Sequence, residues 1–190
     1  MKLLEERIQK DGKILPGNVI KVDSFLNQQI DVDLVLECAK EWYNLFSNEG
    51  ITKILTIEST GIGIACLAAT HFGVPVVYAK KTRGLIDTSE YITSRVVSYT
   101  HGTVYDIYCS KDFLTKGDKV LIIDDFLANG SALKALIKMV EASDAALVGA
   151  GIAIEKLYNN GGNNIRKKGY RIESLAKISS IDDNGIITFG

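Results

Sequence analysis

Short apolar runs alternate with stretches of helical periodicity along most of this chain, and that alternation restricts the fold more than any other feature. ITKILTI (51–57), VPVVYA (74–79), KVLIID (119–124), ALVGAGIAIE (146–155) and RIESLAKIS (171–179) read as strands. Between them, residues 62–72, residues 131–142 and a piece ending near Gly169 read as helices. An earlier helix over 33–48 shows apolar spacing at Leu34, Val35, Cys38, Trp42, Leu45 and Phe46 and is closed by Gly50. Strands that are apolar throughout bury both faces, so the pattern predicts a parallel sheet covered on each side by helices. Right-handed crossovers then place the strand-to-helix loops along one edge, where ligands bind at the carboxyl ends of the strands.

Two segments depart from the alternation. Residues 82–110 contain SRVVSYTHGTVYDIYCS, in which strand-like runs flank Thr100 to Thr103, and this predicts an antiparallel hairpin projecting from the sheet. KISSIDDNGIITFG at 177–190 reads as a second hairpin turning at Asp183, Asn184 and Gly185. At the front, residues 3–10 read as an amphipathic helix, followed by a Pro16-Gly17 turn and a short strand at VIKVD. With 190 residues, 46% of them hydrophobic, and no linker or repeat, one domain is expected.

The 22 basic and 23 acidic side chains nearly cancel, which argues against a broad nucleic-acid footprint or a polybasic membrane patch. The charged N-terminus has no signal-peptide core, and no run approaches the ~18 apolar residues of a membrane span, so a cytoplasmic protein is expected. Cys38, Cys66 and Cys109 are widely separated among apolar residues and are expected to be buried thiols. With His71 and His101 as the only histidines, a histidine-rich metal site is not expected.

On the ligand edge, VLIIDDFLANGSA (120–132) poses the sharpest question. Four aliphatic residues run into Asp124 and Asp125. Buried charge is costly unless something answers it, so the pair is expected at the strand's end, facing a ligand or solvent. The turn Ala128, Asn129, Gly130, Ser131, Ala132 then opens a helix whose amides form an anion site. Carboxylates that accept from vicinal hydroxyls beside a phosphate cradle suit a sugar phosphate, whereas a helix-capping aspartate with a solvated neighbour is the plainer alternative. Glu58, Ser59, Thr60 and Gly61 form a second candidate cradle. GIGIAC after it resembles a truncated dinucleotide fingerprint, and Lys80 and Lys81 could accept the 2′-phosphate of NADP or form a solvated basic turn. In the third loop, the Lys156 ammonium can donate to a ligand carbonyl oxygen.

Together these residues carry a resemblance. Hydrophobic strand, Asp-Asp, aromatic or aliphatic, small, small, Gly looks like the phosphoribosyl-diphosphate motif of the type I phosphoribosyltransferases, with Asn129 where many members have threonine. KVDSFLNQQID (21–31), GITKILTIESTGI (50–62), IIDDFLANG (122–130) and IAIEK (152–156) resemble the bacterial members that use xanthine, and the similarity spans essentially the whole chain. The resemblance implies an α/β type I phosphoribosyltransferase fold over 1–190, with a central, mostly parallel sheet flanked by helices. Residues 1–30 and the C-terminal segment would form a small hood, and 82–110 a hairpin lid. It implies that Asp124 and Asp125 hold the ribose hydroxyls while Ala128, Asn129, Gly130, Ser131 and Ala132 wrap the 5-phosphate. Glu58, Ser59, Thr60, Gly61, Lys80 and Lys81 would face the diphosphate, whose oxygens carry Mg2+ without dedicated protein ligands. Ile20, Asn27 and Lys156 would meet the purine. A homodimer is implied, with a basic residue acting across the interface.

The implied reaction joins N9 of xanthine to C1 of phosphoribosyl diphosphate (PRPP), releasing diphosphate and giving XMP in purine salvage. Positive charge develops on the ribose ring and negative charge on the leaving group, so electrostatic stabilisation dominates and no dedicated nucleophile is needed. The hairpin at 94–110 is either a lid that excludes water or a static flap. Three readings remain beside this one: a non-catalytic PRPP sensor, a guanine or hypoxanthine enzyme, and an NADP-binding protein. The sensor would need a DNA-binding element that the first 30 residues do not offer.

Overall fold

The computed structural model describes residues 1–82, 90–98 and 103–190. In chain order the elements are α1 (Lys2–Asp11), β1 (Lys13–Leu15), β2 (Val19–Lys21), α2 (Val32–Phe46), β3 (Lys53–Ile57), α3 (Thr60–Phe72), β4 (Val76–Ala79), β5 (Tyr91–Ser98), β6 (Thr103–Ser110), β7 (Lys119–Leu127), α4 (Ser131–Ala142), β8 (Ala146–Lys156), α5 (Gly161–Arg166), β9 (Ile172–Ile181) and β10 (Ile187–Phe189). The main sheet has the order β10-β9-β8-β7-β3-β4, parallel throughout except for β10 against β9. Residues 83–89 and 99–102, which include much of TRGLIDTSEYITSRV and most of the hairpin turn, lie outside the described residues.

Alternate residues of the inner strands face opposite layers, as period-two side chains require. Leu121 and Ile123 of β7 join a core with α1, α2 and α3, whereas Val120 and Ile122 join a second core with α4 and the β5–β6 hairpin. Trp42, Phe25 and Phe46 are fully buried in the first core. Asp31 secures two elements of that layer. Its Oδ1 accepts from the Leu34 N–H at 3.2 Å to cap α2, and its Oδ2 accepts from Arg7 of α1 at 2.7 Å.

This layering places the site. From β3 the chain crosses by α3 on one face to β4, and from the adjacent β7 it crosses by α4 on the other face to β8. The two connections diverge, which opens a crevice at the carboxyl ends of β3 and β7, the switch point of an open parallel sheet. Pairing between the two strands stops at Leu55 with Ile122, while β7 stays paired to β8 as far as Leu127 with Glu155.

Two expectations need correcting. Asp124 and Asp125 do not end the strand, because β7 continues to Leu127 along β8, and Asp124 is only 3% exposed. Cys66 is exposed on α3, while Cys38 and Cys109 are buried. Burial pushes the Cys38 thiol up to about 12 and the Cys109 thiol to about 11, so both stay protonated. The short strand expected around VIKVD is present as β2, Val19–Lys21, paired with β1. The second hairpin is present as β9 and β10, with the Asp182 carboxylate accepting from the amides of Asn184 and Ile186.

Candidate active site

Asp124 and Asp125 sit where β7 has lost β3 but kept β8. Each carboxylate turns back on the chain: Asp124 Oδ1 accepts from the Asp125 N–H at 3.0 Å, and Asp125 Oδ1 accepts from the Phe126 N–H at 2.8 Å. Burial, reinforced by the neighbouring charge of Asp125, raises Asp124 well above the usual carboxylate range. Burial also raises Asp125, against the opposing pull of the Phe126 amide and of Lys81. Two adjacent carboxylates are thus held in a low-dielectric crevice, where among the described residues Lys81 is the cation that acts on both.

The loop after them is shaped for an anion. Gly130 has φ +76°, the left-handed region that glycine enters without strain, and directly precedes α4, whose first-turn amides face outward. Among the described residues, no side chain makes a capping bond at this helix start. The Lys134 ammonium donates to the Asn129 carbonyl at 3.3 Å, and the Asn159 amide donates to Asn129 Oδ1 at 3.3 Å. Residues 126–133 and the hairpin residues Val96, Val97 and Tyr105 enclose a cavity of ≈ 170 Å³ over this loop.

Glu58 to Gly61 lie across the crevice. The Glu58 N–H donates to the Ala79 carbonyl at 3.1 Å, and the Glu58 carboxylate accepts from the Lys81 N–H, which joins this loop to the end of β4. A cis peptide links Glu58 to Ser59, and Ser59 precedes α3 without a side-chain capping bond. At Gly61 an added Cβ would run into Thr56 Oγ1 and come within 3.2 Å of Asp124 Oδ1, so only glycine lets α3 approach the aspartates this closely.

Lys80 and Lys81, equivalent by composition, have opposite surroundings. Lys80 pairs by backbone with Tyr108 of the hairpin, and its ammonium lies 5.8 Å from the Tyr78 ring centroid. Lys81 stands 5.6 Å from the Tyr105 ring centroid, and its charge acts on both Asp124 and Asp125. Only Lys81 is thereby brought to the aspartates.

At the carboxyl end of β8, the Lys156 ammonium donates to the Asn18 carbonyl in the β1–β2 turn at 3.2 Å and lies 6.0 Å from the Phe126 ring centroid. Burial lowers its affinity for a proton. Asn27 holds a buried side-chain oxygen without a hydrogen-bond partner among the described residues, whereas Ile20 is packed into the first core. Residues that the sequence reading did not single out also face the site. Tyr105 feels the charge of Asp124, after burial the second cause of its raised pKa, and the buried Thr56 hydroxyl has no hydrogen-bond partner among the described residues. Hairpin alternation at Tyr105, and a hydroxyl set between Leu55 and Ile57 near the end of ITKILTI, were the available signals.

With this geometry in view, comparison with known proteins defines the class. The model of the phosphoribosyl transferase domain matches residues 21–185, and the chain belongs to that family. It is 51% identical to a protein of Lachnoclostridium phytofermentans named xanthine phosphoribosyltransferase, over 100% of this chain and 98% of the relative. A protein of the same name from Ruminiclostridium cellulolyticum is also 51% identical, over 100% of this chain and 99% of the relative. In fold, the chain resembles adenine phosphoribosyltransferase from Giardia lamblia, with a TM-score of 0.78 at 21% identity, covering 92% of this chain and 97% of the other. Adenine phosphoribosyltransferase from Rhodothermus marinus gives 0.74 at 23% identity, covering 93% and 98%. No helix among the described residues is long and apolar enough to cross a membrane.

Proposed function

We propose that this chain transfers the 5-phosphoribosyl group of PRPP to N9 of xanthine, giving XMP and diphosphate. The observation that carries this reading is the under-neutralised pair Asp124–Asp125 running into the Gly130 anion loop, in a chain 51% identical to proteins named for that activity. Ribose hydroxyls donate to Asp124 and Asp125. Amides of 128–132 take the 5-phosphate, and Lys81 with the loop from Glu58 to Gly61 receives the diphosphate. As the C1–diphosphate bond loosens, the carboxylates stabilise the cationic ribose while Lys81 and the loop amides stabilise the departing anion.

Magnesium fits this site as a cation carried in on PRPP, because it would add positive charge beside an aspartate pair on which, among the described residues, Lys81 is the cation that acts. Bound there, it would neutralise charge on the leaving diphosphate. Lys156, half-buried and able to donate, suits the 6-oxo group of the base, and Asn27 offers its unpartnered oxygen.

The hood belongs to the same reading. Lys156 reaches the β1–β2 turn, and Gly185 of the C-terminal hairpin lies beside Ile14. So does the lid, supported by Tyr105 standing near Asp124. A single domain, a homodimer and a cytoplasmic location complete it, in keeping with the family.

The test is diphosphate release with magnesium, PRPP and each of xanthine, guanine, hypoxanthine and adenine. Preference for xanthine is expected. Equal use of guanine or hypoxanthine would reassign the base, and PRPP binding without turnover would make the chain a sensor.

A further inference from the structure

We propose that Arg166 is a positioning residue for the 5-phosphate loop, acting through its buried ion pair with Glu155; this rests on the assignment of 128–132 to the 5-phosphate. Glu155 is 1% exposed and lies on β8 opposite Leu127, one residue before Lys156. Arg166 grips it with both ends of the guanidinium, Nη1 to Oε1 and Nη2 to Oε2 at 2.7 Å each. Nη2 also donates to the Ile172 carbonyl at 3.2 Å, and the Ser174 hydroxyl donates to Glu155 Oε2. Such a pair adds little stability over a well-packed apolar substitute, so its geometry asks for another use.

The chain between the two partners supplies that use, because it folds against the phosphate loop at three successive residues. The Gly161 N–H donates to the Ala128 carbonyl at 3.1 Å. Asn159 donates to Asn129 Oδ1. Ile165 presses on Gly130 so closely that a Cβ there would come within 2.8 Å of Ile165 Cδ1. Neither glycine at the turn has room for a side chain: a Cβ at Gly161 would strike the Ala128 carbonyl oxygen, and one at Gly162 would strike the Glu155 carboxylate. Residues 156–165 are therefore a brace pinned at both ends by Glu155 and Arg166. The brace occupies the Ala128 carbonyl and holds the loop where its amides face outward, so less ordering remains when phosphate binds.

The test separates the two anion loops by calorimetric titration with ribose 5-phosphate, which needs 128–132, and with magnesium diphosphate, which needs the loop from Glu58 to Gly61 and Lys81. Arg166→Gln should weaken ribose 5-phosphate by about 10-fold or more and leave diphosphate within about 2-fold. In turnover the KM for PRPP should rise by a similar factor with kcat nearly unchanged, as loss of uniform binding requires. Arg166→Lys should recover part of the loss. Gly161→Ala, which leaves the ion pair whole, should reproduce it, and these two variants carry the test if Arg166→Gln does not fold. Equal weakening of both ligands, no change in either, or wild-type protein that does not bind ribose 5-phosphate would overturn the proposal. Wild-type protein that binds ribose 5-phosphate with the predicted variant pattern but does not use xanthine would instead overturn the xanthine reading alone.

Discussion

Glu155 and the pair Asp124–Asp125 lie on neighbouring strands at the same edge of one sheet, yet their surroundings answer burial in opposite ways. Burial pushes Glu155 up, but bonds from Arg166 and Ser174 outweigh it and hold the carboxyl below its usual range. Among the described residues, Asp124 and Asp125 have backbone amides, each other and the charge of Lys81, and burial outweighs these so that both are raised. A carboxylate whose partners are built into the fold is structural. One without such partners among the described residues carries an electrostatic cost that a hydrogen-bond-donating or cationic ligand would relieve.

The largest contrast to break is in activity. Asp125→Asn should reduce turnover by about 10³-fold, the scale of losing a charge aimed at a transition state. The same ligand-free variant should melt at or above the wild-type temperature at pH 7. A lower melting temperature with near-normal turnover would reverse the comparison.

Next is the structural side. Arg166→Leu strands the Glu155 carboxylate and should cost about 3 kcal/mol in denaturant unfolding, since removing one partner of a buried pair leaves an unpaired charge. A cost under about 1 kcal/mol would mean that Glu155 is solvated and the contrast false.

The two sites should also separate by pH in the ligand-free protein. A raised carboxylate costs stability above its unfolded value, and the cost fades as pH falls toward 3.8. The advantage of Asp124→Asn over wild type should therefore shrink steadily from pH 7 to pH 4. A lowered carboxylate contributes stability that is kept until pH falls through the ordinary value of 4.5. The deficit of Glu155→Gln should accordingly hold from pH 7 to about 4.5 and diminish only below that. Parallel pH profiles for the two variants would sink the assignment.

The smallest effect is Ser174→Ala. Loss of its hydroxyl bond to Glu155 should cost about 1 kcal/mol and leave the KM for xanthine unchanged.

Much of this was legible from residue order. The alternation of apolar runs and helical spacing predicts the parallel sheet, and α4 spans Ser131–Ala142 as the spacing indicates. The Asp-Asp-to-glycine turn marks the loop because side-chain chemistry and local backbone demands coincide there. What stayed hidden depends on direction and distance. Lys80 and Lys81 differ because successive residues of an extended chain point to opposite sides, and backbone pairing with Tyr108 decides which of them meets the aspartates. The continuation of β7 past Asp125 depends on β8 lying beside it. The Glu155–Arg166 pair spans 11 residues without periodicity, and the paired glycines 161 and 162 were its only local trace.

By itself, then, the sequence determined the order of the main strands and helices, the parallel run of the inner strands, and the glycine turn that opens α4, because periodicity and turn chemistry are local properties. The tertiary structure alone decided which carboxylate is satisfied and which is left exposed to its own charge. That distinction is set by which groups from distant segments enter the same low-dielectric space, and order along the chain does not encode it locally.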